Sequence, residues 1–440
     1  MAAGSRFAPH LGVSLTRVLT RLSSAPVYLG VLGGLQMALL WVLRPHLGIL
    51  LPAVSTAAYA ALLASLFLTR GRWDIKLWAI SGLAVLTAIG PTAVEVVRRA
   101  QGADSMEHDG LIQVEAAIDK VMHGQPIYGI DWSNTPLGAV PWFTTPGSNP
   151  ALHHQAYFPL IILVGVPVRA LTNALGLPFD YRIVLVGFAL VGLAAILSLP
   201  VAAERRFLIV TAVYLSPLIC LYLWSGRNDI EFLAMVLLCL TLLARRHPVL
   251  AAGALGVAAA LKPFAWFAVP FLLLVLYLRW RDRQSTREVV ASLVALALVP
   301  IATIAPFLLA DPRAFWSDTV LYTNGGVPDA YPIAGYGLGE IIYQLHVVAR
   351  RTDSFPFGLV QLAAVLPALW FSARAFLRRP SLLRWVGGYA VVLLAFTFFA
   401  RFFNDNYFGV DVTLLLCIRP LGQQLMAPAM GQPAERLAAA

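Results

Sequence analysis

Asp109, in the string Glu107-His108-Asp109-Gly110, is the residue of this chain best placed for acid–base chemistry. It follows the basic pair Arg98-Arg99 at the end of an apolar run and stands near the start of a long polar segment. In a sequence otherwise suited to lipid, ionisable groups concentrate at functional sites. A carboxylate at that edge can take the proton of a hydroxyl nucleophile, and Gly110 leaves room for close approach of a ligand. On spacing alone the plainer reading of Glu107 and Asp109 is a pair of solvated loop acids. Glu107, His108, Gln113, His153, His154 and Tyr157 share the segment and are the candidate substrate contacts around Asp109. The two adjacent histidines point apart on any regular element, and no carboxylate is spaced to complete a metal site with them. They suit hydrogen bonds to a substrate or to the loop backbone.

A second constellation is Gly226-Arg227-Asn228-Asp229, which joins two apolar runs. Placing Arg227 and Asp229 at helix centres would cost ~2.5–3.5 kcal/mol each, so a polar cavity suits them better. Two readings fit: an ion pair between the side chains, or Arg227 on a phosphate with Asn228 and Asp229 on a polar substrate. Lys262 precedes Pro263 at a break in another apolar stretch. A lysine there serves as a point charge for phosphate, or snorkels to the interface. Arg401, in a Phe-rich run before Asn404, and Arg98 complete the candidate phosphate-binding set.

These residues must be positioned by membrane-spanning helices. Charged residues make up 12% of the chain against roughly 25% in soluble domains, and apolar types 59%. Apolar runs of about 20 residues recur, each long enough as a helix to cross the hydrocarbon. Lipid leaves no partner for open backbone groups, so the expected fold is all-α and polytopic, a bundle of about 11–13 transmembrane helices. The expected organisation is a basic leader over 1–24, one transmembrane domain over 25–420, and a disordered tail over 421–440. Within the domain, an external loop over 98–157 carries the chemistry and a second spans 311–333. The formal charge of +10 sits in short clusters between apolar runs, such as Arg205-Arg206, Arg245-Arg246, Arg279 to Arg287 and Arg374 to Arg384. That pattern sets topology and attracts anionic lipid, and it does not form a nucleic-acid face. Crossing the membrane at every run after the loop would leave Arg205-Arg206 on the loop's own side. One stretch within 158–203 is therefore expected to dip in and return or to be split, unless the pair 249–278, broken at Lys262-Pro263, is what upsets the count, and 334–349 is expected not to cross. Cys220, Cys239 and Cys417 lie in apolar runs and support neither a disulfide framework nor a zinc site. Residues 111–121 have apolar positions at helical spacing, an amphipathic helix expected on the membrane surface, stopped at Gly124-Gln125-Pro126.

His108-Asp109-Gly110 with Gln113, Gly124-Gln-Pro-Ile-Tyr128, Asn149-Pro-Ala-Leu-His-His154, Tyr157-Phe-Pro159, Gly226 to Asp229 and Ala260-Leu-Lys-Pro-Phe264 resembles the glycosyltransferase 87 family, over roughly residues 76–310. That family is similar to the wider GT-C superfamily of polytopic transferases. The resemblance implies a GT-C-like bundle, a polyprenyl-phosphate-linked sugar donor such as the mannose donor, a lipid or cell-envelope glycan acceptor, and Asp109 as the catalytic base. It also implies a bacterial plasma membrane with the site on the extracytoplasmic side. No cofactor is required by this chemistry, and a weakly held Mg²⁺ or Mn²⁺ between loop carboxylates and a donor phosphate is compatible with it. A transporter of lipid-linked saccharides would favour internal repeats, and none is visible in the sequence.

Overall fold

The computed structural model describes residues 24–422 apart from 70, 143–144 and 283–284. Nearly all of the expected leader and tail, with Arg283 of the Arg279 to Arg287 cluster, lie outside the described residues. Three helices open the chain: α1 (Ala25–Val42), α2 (Leu50–Leu68) and α3 (Trp73–Ala100). The polar segment carries α4 (Asp109–Met122) and leads into α5 (Pro159–Ala174), α6 (Arg182–Ser198), α7 (Ala203–Tyr214), α8 (Pro217–Ser225), α9 (Asp229–Ala244) and α10 (Pro248–Leu261). Next come α11 (Pro263–Arg281) and α12 (Thr286–Ala310), then α13 (Phe357–Arg378), followed by α14 (Leu382–Phe398) and α15 (Asp405–Leu421). Two-residue strands, β1 (Ala334–Gly335) and β2 (Phe402–Phe403), pair in parallel.

The protein is an all-α, multi-pass membrane protein. Among the described residues six helices, α1, α2, α3, α11, α12 and α13, are long and apolar enough to cross a membrane, and the pair α7 and α8, bent by 51°, makes a seventh if it is one span. Pro217 at the start of α8 accounts for the break, since proline removes a helix donor. Shorter apolar helices, α5, α6, α10 and α14, fill the bundle. The expectation of about 11–13 spans counts the shorter and the bent helices as crossings as well.

The helices run between two ends of different character. At one end Arg206 donates to the Leu197 carbonyl at 2.6 Å, Arg245 to that of Ser198 at 2.7 Å, and Arg384 to that of Ala375 at 2.6 Å. Trp73, close to Arg72 and Lys76, packs edge-on to Phe207 at this same end. The opposite end holds the polar segments 101–157 and 311–333 and the turn Asn404 to Tyr407. Helix α5 reconciles this arrangement with the sequence. The chain leaves the polar end at Phe158, packs α5 along α4 with Arg169 on Asp119 at 3.0 Å, and is back among the loop residues by Asp180. There Arg99 meets Asp180 at 3.3 Å, and the Tyr181 amide donates to Glu115 at 2.8 Å. Thus α5 does not deliver the chain to the basic end, as the expected dip within 158–203 requires. The stretch 334–349 holds strand β1 and a seven-residue helix, Leu338–Gln344, too short to cross.

Helix α4 departs from its expected place. Its apolar face, with Leu111, Val114, Ala117 and Ile118 all buried, is covered by protein and not by lipid. Ile118 reaches Gly165 of α5 so closely that a Cβ there would lie 2.3 Å away, and Leu111 sits on Gly226. The helix ends at Met122, and Gly124 has φ +67, the left-handed stop anticipated from the sequence.

Candidate active site

A cavity of about 560 Å³ opens between the polar segments and the ends of the helices. It is walled by Glu107 to Gly110 and Tyr157 from the first loop, Arg227 to Asp229 and Lys262 from helix junctions, Tyr322 and Tyr331 from the second segment, and Asn404 with Asn406 from the last turn. The two polar segments and the final turn therefore face one space. Trp142 meets Tyr331 edge-on across it at 6.0 Å.

Asp109 is fixed from behind by a buried ionic lattice. Glu95, fully buried in α3, accepts the Met106 amide at 2.7 Å, while Arg182 donates to the Met106 carbonyl at 3.0 Å. Arg182 is also fully buried and pairs with Asp180 at 2.7 Å. Arg99 forks onto Glu115 at 2.8 and 2.7 Å and reaches Glu107 at 3.1 Å. The chain before Asp109 is thus gripped at Met106 and Glu107, and the His108 amide donates to the Ser225 carbonyl at 2.9 Å. That bond ties α4 to the junction bearing Arg227 and Asp229. Gly226 makes the junction possible: its φ is +89, and a Cβ would come within 2.8 Å of Leu111.

Asp109 is the first residue of α4, where the helix macrodipole favours a negative charge. Its Oδ1 receives the Gly110 amide at 2.8 Å and lies 2.8 Å from His108 Nδ1; Oδ2 accepts from Asn149 Nδ2 at 3.0 Å. The Gly110 amide is also 3.0 Å from His108 Nδ1, but that nitrogen cannot accept a proton and donate one. A bare nitrogen lone pair facing a carboxylate at 2.8 Å would be repelled, so the proton belongs on Nδ1 and the Gly110 amide on Oδ1. Burial alone would raise the Asp109 carboxyl; the His108 ring and the hydrogen bonds from His108, Asn149 and Gly110 outweigh it and hold it at about 2. The carboxylate is then ionised at neutral pH, with one acceptor position on Oδ2 still open. Tyr157 lies against Gly110, where a Cβ would be 2.0 Å from its hydroxyl. So Gly110 admits a protein side chain, not a ligand. Burial and the neighbouring Asp109 push the Tyr157 phenol up, which keeps it a hydrogen-bond donor.

Across the cavity, Lys262 pairs with Asp229 and is surrounded by the rings of Phe264 at 5.2 Å, Tyr407 at 5.3 Å and Phe232 at 5.8 Å. Arg227 lies over the Tyr222 ring at 4.4 Å, and its Nη1 donates to Asn406 at 2.8 Å. The ion pair of Asp229 is therefore with Lys262, and Arg227 keeps a buried Nε with no hydrogen-bond partner.

Five of the sequence candidates lie elsewhere or are held by other partners. Arg98 donates twice to the Asp104 carbonyl, at 2.6 and 2.8 Å, outside the cavity wall. His153 is exposed, 3.9 Å from Asp131. His154 is buried, 2.9 Å from Asp318, and stacks on Tyr322 at 4.7 Å, which joins the first polar segment to the second. Arg401 lies in the wall, but its guanidinium donates to the carbonyls of Tyr331, Arg351 and Asp353 at 2.6, 3.0 and 2.9 Å. Gln113 likewise lines the cavity while its amide holds the carbonyls of Ala151 and His154. Among the described residues no group of three or more His, Cys, Asp or Glu side chains is placed to hold a metal ion. Asn149, Asn406, Arg99 and Arg182 are site residues that sequence reasoning did not assign. Asn149 opens one of the quoted strings and Asn406 sits in a polar turn before an apolar run, so a signal for both was present.

The family model described as Glycosyltransferase family 87 matches residues 156–399. The match reaches further toward the C-terminus than the resemblance read from the motifs, and it begins after Asp109. Searches of the curated proteins and of the solved structures gave no match. The matched span takes in more than half of the chain, including α5 to α14 and the Arg227, Asp229 and Lys262 wall of the cavity, so the chain belongs to glycosyltransferase family 87 and is a multi-pass membrane glycosyltransferase.

Proposed function

We propose that the cavity transfers a sugar, mannose or another hexose or pentose, from a polyprenyl-phosphate donor to a hydroxyl of a lipid or glycan acceptor, with inversion. The observation that carries this reading is Asp109: an ionised carboxylate, rigidly held, with one free acceptor position facing a cavity whose far wall bears Arg227 and Lys262. The acceptor hydroxyl hydrogen-bonds Asp109 Oδ2 and attacks the anomeric carbon. The bond from that carbon to the phosphate oxygen breaks on the opposite face. Arg227 and Lys262 stabilise the departing polyprenyl phosphate, and the acceptor proton passes to Asp109. A carboxylate of low basicity suffices because the hydroxyl becomes strongly acidic only as its oxygen bonds to carbon. The leaving phosphate is already an anion, so no second carboxylate acid is needed, in contrast to glycoside hydrolysis.

The basic clusters support an orientation. They lie at the end of the bundle away from the cavity, and the positive-inside rule places that end in the cytoplasm. The cavity then opens on the extracytoplasmic side of a bacterial plasma membrane, where polyprenyl-linked donors are met from within the lipid.

The test is transfer of labelled sugar from a panel of polyprenyl-phosphate sugars in membranes holding wild-type or Asp109→Asn protein. The expected result is a loss of about 10²–10⁴-fold in a protein that remains folded, with a lowered melting temperature because the favourable charge of Asp109 is gone. Turnover that survives in the variant removes Asp109 from the mechanism.

A further inference from the structure

Two cations and one carboxylate crowd the far wall of the cavity, and their simplest arrangement would neutralise most of the charge meant for a phosphate. Asp229 is buried and carries two oxygens, so a forked pairing with Arg227 beside its bond to Lys262 is chemically favourable. The structure shows another arrangement. Asn406, buried on the first turn of α15, stands between the two residues. Its Nδ2 donates to Asp229 Oδ2 at 2.7 Å, and its Oδ1 accepts from Arg227 Nη1 at 2.8 Å. One neutral amide thus satisfies the acid with a donor and the guanidinium with an acceptor, and adds no charge of its own.

We infer that Asn406 is a positioning residue of the transfer site: it holds Arg227 away from Asp229 so that the guanidinium presents a free Nε edge to an anionic phosphodiester. The inference rests on the proposed phosphate-binding role of this wall and extends it to a residue beyond the span that the family model matches. Three observations agree. Arg227 Nε is buried without a partner, as a donor awaiting an anion would be. Among the described residues the one carboxylate hydrogen-bonded to Arg227, Asp405, contacts the same Nη1 at 3.2 Å and leaves Nε alone. Arg227 is also pinned over the Tyr222 ring, which limits its swing to the direction that Asn406 controls.

The change from Asn406 to Asp is isosteric and replaces the neutral relay by a carboxylate that pairs with Arg227. Binding to purified protein is measured with the methyl phosphodiester of a short polyprenol, whose single charge is constant between pH 5 and 8, and with the free polyprenol. Wild-type protein is expected to prefer the diester, with little change over that range. Asn406→Asp should bind the diester at least ten-fold more weakly at pH 7.5, bind the polyprenol as before, and recover on acidification as the new carboxyl takes a proton. Asn406→Ala should show the same selective loss without recovery, and it decides the matter if the Asp variant does not fold. Equal diester binding by wild type and both variants overturns the role of Asn406 and leaves the proposed function standing. A wild-type protein that binds diester and polyprenol alike removes the phosphate site itself, and the inference with it.

Discussion

At the scale of single residues, the site is built by giving each charged group a partner that leaves one useful edge open. Asp109 shows the consequence for pH. Its folded value of about 2 lies below its ordinary 3.8, so its contribution to stability is complete above pH 4 and is lost as pH falls toward 2. The acid limb of a pH–rate profile should therefore contain no break from Asp109 between pH 5 and 8; a carboxylate-type break there that vanishes in Asp109→Asn would contradict the hydrogen-bond assignment. Removing Asn149 tests the same assignment from the other side. Asn149→Ala should lower the transfer rate and cost about 1.5–3 kcal/mol of stability, the range for a hydrogen bond to a charged group, measured by thermal unfolding. Gly110 gives a steric prediction. Gly110→Ala places a methyl 2.0 Å from the Tyr157 hydroxyl, so activity should collapse, and adding Tyr157→Phe should restore part of it by removing that oxygen. Much of this was legible in the sequence, since Asp109, Tyr157, Arg227, Asp229 and Lys262 all reach one cavity. The partners were not, because Asn149 and Asn406 act across 40 and 179 positions of chain, and no local pattern records such a pairing.

Elements place these residues through buried polar contacts as much as through apolar packing. Helix α3 illustrates it: a π-helical stretch at Val85–Ile89 frees backbone carbonyls, and those of Thr87 and Ala88 accept from Gln36 at 3.1 Å and Trp224 at 2.9 Å. That stitches α1 and α8 onto the helix whose end carries Arg99. Arg182 does the equivalent for the first loop, holding Asp180 and the carbonyls of Met106 and Trp224. Arg182→Met should leave Asp180 and Glu115 buried around one fewer cation and cost about 3–5 kcal/mol, with loss of transfer because Met106 to Asp109 loses its anchor. A variant of wild-type stability and activity would show that the lattice does not position the loop. Glu231, buried in the first turn of α9, offers a contrast. The Tyr181 hydroxyl lies 2.6 Å from both Glu231 Oε1 and the Ile161 carbonyl, and one phenol proton cannot bridge two acceptors. Glu231 must supply the second proton, so Glu231→Gln, which keeps a donor there, should retain activity while Glu231→Ala should not. Apolar periodicity announced the helices but could not show these ties, because a buried Arg or Glu reads in sequence like any loop or interfacial charge.

For the whole molecule, the decisive property is that the cavity and the basic clusters occupy opposite ends of one bundle. Counting hydrophobic runs as crossings failed at α5, since length and hydropathy are the same for a helix that crosses and one that lies along α4. The distinguishing information is tertiary: Arg169 on Asp119, Gly165 beneath Ile118, and the return of Asp180 to Arg99. Charge carried what hydropathy did not, because keeping Arg205-Arg206 away from the loop already pointed to a dip or a split within 158–203, or to a miscount at 249–278. Thiol labelling of intact cells tests this topology directly. The three native cysteines are buried, so single cysteines introduced at exposed turns report cleanly to a membrane-impermeant reagent. Cysteines replacing Gly102, Leu177 and Asp329 should react from outside, while one replacing His247 should react only after the membrane is opened. The Leu177 position is the informative one: it follows α5 directly, and an α5 that crossed would hide it with His247. Labelling of Leu177→Cys together with Gly102→Cys would place α5 on the cavity side and give the transferase an outward-facing site. Protection of both, with His247→Cys labelled, would keep the fold and invert the protein in its membrane, and the donor would then be met from the cytoplasm.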